Sequence, residues 1–85
     1  MAEFLLELYI SRTDDLAVVR GAVDARVAAE ALTREGTPIR YVRSIFVPED
    51  ETCFYLYEAA SVEAVREAAH RAGLAFERIA ETVNP

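Results

Sequence analysis

Residues 52–59, Thr52-Cys53-Phe54-Tyr55-Leu56-Tyr57-Glu58-Ala59, read as a β-strand, and the side of it that meets the core decides how the chain is folded. Side chains alternate along a strand, so Phe54 and Leu56 share one face and Cys53, Tyr55 and Tyr57 the other. Both faces are apolar. A small domain has one core, so the second face needs a cover of its own.

Working outward, Pro48-Glu49-Asp50-Glu51 is a polar turn and Ile39 to Val47 is the strand before it. A turn centred on Asp50 sets Phe46 opposite Phe54 and Arg43 opposite Tyr57. Downstream, Ser61 caps a helix whose inward stripe is Val65, Ala68, Ala69 and Ala72, stopped by Gly73. Phe76 to Val83 is a last strand. Upstream, Phe4 to Arg12 is the first strand, and Thr13-Asp14-Asp15 supplies cap and first-turn acids for a helix. Leu16, Val19, Val23 and Val27 recur at helical spacing as its apolar stripe, and Gly36 ends it just after Glu35. The order βαββαβ is the ferredoxin-like α+β pattern, one domain over residues 1–85. Right-handed crossovers place strands one and three in the middle of a four-stranded antiparallel sheet, with both helices on one face.

The chain is 53% hydrophobic and 28% charged, the composition of a folded domain. A net charge of −6 argues against nucleic acid and anionic membrane as partners. No apolar run approaches the roughly 20 residues of a membrane span. Glu3 and Glu7 break up any signal-peptide layout, and a single cysteine forms no internal disulfide, so a cytoplasmic location is expected.

The face without helices carries the functional expectations. Phe4, Leu6, Leu8 and Ile10 point to the helices, which leaves Glu7 and Tyr9 open. With Phe54, Leu56, Val42 and Phe46 also turned inward, Cys53, Tyr55, Tyr57, Tyr41, Arg43 and Ile45 join them. Four tyrosines on one face expect a homodimer, two open sheets enclosing a barrel-like cavity for a small organic ligand. Tyr9, Tyr41, Tyr55, Tyr57 and Cys53 then line the ligand site. Glu7 and Arg43 are the candidate catalytic pair: a desolvated carboxylate suits acid/base work, and a guanidinium orients an anionic or carbonyl group. Two plainer readings stand beside this one, a structural Glu7–Arg43 ion pair and a dimer interface without a ligand. No Walker loop, GxGxxG, paired-cysteine zinc spacing or nucleophile elbow occurs. No metal is favoured; Glu7 and His70 are the residues that would ligate one. His70 shares a helix surface with Glu63 and Glu67.

The segments YVRSIFVPEDETCFYLYEA and SVEAVREAAHRAGLAFERIAETV, with FLLEL at the N-terminus, resemble a family of small ferredoxin-like domains of unknown function that includes a nickel-binding protein. The resemblance implies the same fold and places Glu7 where members often carry a glutamate. It also implies departures: members often carry histidine at the position of Arg43, cysteine at that of Tyr55 and histidine at that of Ala68. Thiolate and imidazole suit nickel and a permanent cation repels it, so the resemblance leaves nickel as the alternative function and a structural interaction module as a third.

Overall fold

Among the described residues, two α-helices and four strands form where capping and alternation place them. The computed structural model describes residues 1–83. Its elements are β1 (Ala2–Tyr9), α1 (Asp15–Arg34), β2 (Ile39–Val47), β3 (Thr52–Ala59), α2 (Val62–Arg71) and β4 (Phe76–Glu81). Asp14 begins α1, its carboxylate accepting the Ala17 N–H at 3.1 Å, and Ser61 does the same for Ala64 at 3.3 Å on α2. Gly36 and Gly73, just past the two helices, have φ of 102° and 70°, a left-handed backbone that other residues adopt only under strain. Thr33 fastens the end of α1 to the start of β2, donating to the Ile39 carbonyl at 2.8 Å and accepting its N–H at 3.2 Å.

The strands pair antiparallel in the order β2-β3-β1-β4. This is the ferredoxin-like arrangement, with β1 and β3 central. Among the described residues no helix is long and apolar enough to cross a membrane.

The core departs from the sequence expectation in two linked ways. On β1, Phe4, Leu6 and Leu8 turn to the helices as expected, and Ile10 is buried beyond its end. On β3, however, Cys53, Tyr55, Tyr57 and Ala59 are the buried set, and Phe54 and Leu56 lie on the open face. On α1 the buried residues are Gly21, Ala25, Ala28, Ala29 and Leu32, while Leu16, Val19, Val23 and Val27 are exposed. These are one packing solution. Tyr55 and Tyr57 are buried beneath the helices, and where α1 crosses Tyr55 at Gly21 there is no room even for a Cβ. A valine of α1 turned inward at that crossing would not fit.

The register explains the inversion. β2 and β3 pair Val47 with Thr52, Phe46 with Cys53, Ile45 with Phe54 and Arg43 with Leu56. The turn holds the four residues 48–51 and closes with Glu51 in the left-handed region, φ 49°, which moves the pairing one residue from that expected. A one-residue slip exchanges the faces of a strand. A bulge between Tyr41 and Arg43 then shifts the register again, so that Tyr41 pairs with Tyr57 and Ile39 with Ala59 on the helix side. Arg43 and Ile45 keep their open-face placement and Phe46 its inward one.

Candidate functional site

The helix-free face of the sheet holds the residues that the fold leaves without a covering layer. Across its middle, Leu56 on β3 lies between Arg43 on β2 and Leu5 on β1, and Leu5 pairs with Ala80 on β4. In the next row Ile45, Phe54, Glu7 and Arg78 follow one another across the four strands. An apolar patch of Leu5, Phe54, Leu56 and Ile45 is thus bordered by Glu7, Arg43 and Arg78, with Glu3 and Glu58 in the row beyond Leu5 and Leu56.

Charge satisfaction differs sharply over this face. At one end Arg40 donates to Glu58 at 2.9 Å, and the Glu3 carboxylate accepts from Thr82 Oγ1 at 2.8 Å. At the other end Tyr9 donates to Glu51 at 3.4 Å. Between them, Glu7, Arg43 and Arg78 have no ion-pair or side-chain hydrogen-bond partner among the described residues, although Glu7 is half-buried on a central strand. The expected Glu7–Arg43 pair is not made. Arg43 sits two strands from β1 and opposite Leu56, whereas the cation directly across from Glu7 is Arg78. Sequence reasoning passed over Arg78. The signal for it was a register on β4 that a bulge between Glu7 and Leu8 conceals.

The tyrosine lining expected for this face is not there. Only Tyr9 lies on the open side, at its rim. Tyr55 and Tyr57 are fully buried under the helices, and Tyr41 packs with them, its ring 6.3 Å and 6.0 Å from theirs. Burial pushes both buried phenols well above the ordinary tyrosine range, and neither hydroxyl has a hydrogen-bond partner among the described residues. Tyr41 exchanges a 2.6 Å hydrogen bond with Ser44, and Arg26 lies over its ring at 5.6 Å. Cys53 is also inside, and burial pushes its thiol up, the reverse of what a nucleophile or metal ligand needs. A groove of about 550 Å³ between α1 and the edge of β2 is lined by Arg26, Glu30, Arg34, Ile39, Arg40 and Tyr41. Of its cations, Arg26 is engaged with Tyr41 and Arg40 with Glu58.

The donors available to a metal are scattered. His70 is exposed on α2, Cys53 is buried in the core and Glu7 is on the open face. Among the described residues no three His, Cys, Asp or Glu side chains come together as a metal site. Arg43 stands on the open face, while Tyr55 and Ala68 lie together in the core, so these three positions do not converge on one site either.

Comparison with known proteins gives two matches. The model of a family described as nickel responsive protein SCO4226-like matches residues 12–82. A crystal structure of SCO4226 from Streptomyces coelicolor A3(2) superposes with a TM-score of 0.67 at 23% identity, over 99% of both chains, and shares the fold. No curated protein matches.

Proposed function

The chain belongs to the nickel responsive protein SCO4226-like family, and from that premise we propose that it works as a homodimeric binding module: two copies meet through their helix-free sheet faces and hold a small organic ligand between them. The observation that carries this reading is Glu7. A carboxylate half-buried on a central strand, with no partner among the described residues, costs stability unless it is used. The apolar surface of Leu5, Phe54 and Leu56 beside it suits a partner's matching surface, and a symmetric pairing sets the same patch against itself. In the enclosed space Glu7 accepts a donor from the ligand, and Arg43 and Arg78 draw an anionic or carbonyl oxygen. Any acid/base step would fall to Glu7, the carboxylate of the patch with no partner among the described residues.

Nickel is the second reading, favoured by the family description. The donor set within one chain does not fit it. On the open face Glu7 is the carboxylate without a partner among the described residues and has Arg78 directly opposite, Glu3 and Glu58 are engaged by Thr82 and Arg40, and the thiol and the imidazole lie elsewhere. Hard-to-soft borderline nickel prefers imidazole and thiolate, and adjacent cations oppose its binding.

The test is sedimentation of the parent and of Phe54→Asp, with native mass spectrometry of untreated protein. The expected result is a self-associating parent that carries a small-molecule mass, and a variant that loses the contact through the sheet face and the mass with it. Parent sedimentation indifferent to Phe54→Asp, together with a bare mass, refutes the reading. Tyr57→Asp, the substitution that a tyrosine-lined open face would suggest, instead strikes the core and is not a test of assembly.

A further inference from the structure

The outward side of α1 carries Leu16, Val19, Val23 and Val27, which are 58%, 61%, 50% and 57% exposed. Spacings of three, four and four residues set all of them on one stripe, opposite the face of Gly21, Ala25, Ala28 and Leu32 that packs on the sheet. A surface helix normally fills such positions with charged residues. Single exposed aliphatics need no cause, but four aligned on one helix make a patch.

We propose that this stripe is a contact between two copies of the chain, with the α1 helices packed antiparallel about a two-fold axis between Gly21 and Ala22. The charges beside the stripe favour a second copy over a foreign partner. Arg20 and Asp24 lie together along the flank that faces α2. Antiparallel pairing about that axis brings Leu16 beside Val27 of the second copy and Val19 beside its Val23. The same pairing sets Arg20 opposite Asp24 of the second copy, and Asp24 opposite its Arg20. A two-fold axis supplies both charge pairs at once, so the surface is complementary to itself. Shallow grooves of about 470 Å³ and about 310 Å³ border the stripe where α1 meets the end of α2, giving the ridge of one copy a furrow to enter. The stripe is on the helix layer and the patch around Glu7 on the opposite side of the sheet, so the two contacts do not compete. Two isologous contacts on one chain build an assembly larger than a dimer.

Sedimentation velocity over a concentration series tests this with four variants. Val19→Glu combined with Val23→Glu is expected to weaken self-association by roughly tenfold or more, with the urea midpoint near the parent's because both side chains are exposed. Arg20→Asp alone is expected to weaken it too, and Arg20→Asp combined with Asp24→Arg to restore it. A parent unaffected by Val19→Glu with Val23→Glu overturns the proposal, as does a charge exchange that fails to restore association. Phe54→Asp separates the two contacts. Association that survives Phe54→Asp but not the valine pair supports the helix contact and refutes pairing through the sheet; association that behaves the other way refutes the helix contact.

Discussion

Gly21→Ala is expected to destabilise this protein although it replaces glycine inside a 20-residue helix. At an ordinary helical site the change stabilises by about 1 kcal/mol, through helix propensity and a less flexible unfolded chain. Here a Cβ would fall inside the contact radius of the Tyr55 hydroxyl oxygen, with ring atoms Cζ at 3.2 Å and Cε2 at 3.7 Å. Tyr55 is 0% exposed, so its ring has nowhere to retreat. Overpacking of this kind costs about 1–3 kcal/mol and can cost more, which set against the helical gain leaves a net loss of up to about 2 kcal/mol. Tyr55→Phe removes the clashing oxygen and, with it, a buried hydroxyl that has no hydrogen-bond partner among the described residues. Alone, that change is expected to be neutral or to stabilise, because an unsatisfied buried polar group costs about 1–3 kcal/mol. In the double variant only the mild 3.2 Å approach to Cζ remains, and the helical gain of Gly21→Ala returns. Urea denaturation of the four proteins should therefore give a coupling energy of about 2 kcal/mol, far above the few tenths that independent sites show. Additive effects, or a stabilising Gly21→Ala in the parent background, would refute this account of how α1 sits on the sheet.

Three further outcomes follow from the same geometry. Above pH about 10 the unfolded chain ionises its tyrosines, while burial keeps Tyr55 and Tyr57 protonated in the fold; the folded state then binds more protons, so stability falls as pH rises, by about 1.4 kcal/mol per pH unit for each. Urea midpoints measured from neutral to strongly alkaline pH check this, and in Tyr55→Phe the slope should be smaller by one tyrosine's share. Glu7→Gln breaks no ion pair, so it should leave the melting temperature of the free protein unchanged or slightly raised; a fall of several degrees would mean that the carboxylate has a structural partner. Calorimetric titration with nickel should give no stoichiometric submicromolar site, because Arg78 stands opposite Glu7 and among the described residues no three His, Cys, Asp or Glu side chains come together; such a site would reverse the order of the two functional readings.

Much of this fold was written in local chemistry. Ile39–Val47 and Thr52–Ala59 are bounded as strands by Pro38, Pro48 and the polar turn, and the structure keeps those limits. Asp14, Ser61, Gly36 and Gly73 mark helix ends through hydrogen bonds and backbone angles that need nothing from the rest of the chain. What stayed hidden was which of two apolar sets faces inward. On β3 the choice between Phe54 with Leu56 and Tyr55 with Tyr57, and on α1 between the valines and the alanines, is settled by fit across the layer rather than by hydrophobicity. Choosing the bulkier set on α1 and the hydroxyl-free set on β3 gave two errors with a single cause. The candidate site suffered accordingly. Glu7 and Arg43 were placed on the correct face because β1 and the lower half of β2 have only one plausible parity. The tyrosines were not, and Arg78 escaped notice behind a bulge.

The fit of Tyr55 and Tyr57 under the helices also sets a rhythm for the molecule. A phenol ring can turn over only by sweeping out a volume wider than the slot it occupies. Here both rings are fully buried in the packed core, and over Tyr55 the roof at Gly21 is backbone, with no side chain to swing aside. Each half-turn therefore waits for a helix to lift from the sheet, a collective motion on the microsecond-to-millisecond scale rather than the nanosecond scale of a free side chain. The two rings are clocks inside the core. Their exchange rates, read from aromatic nuclear magnetic resonance lines, time how often the helical layer parts from the sheet beneath it.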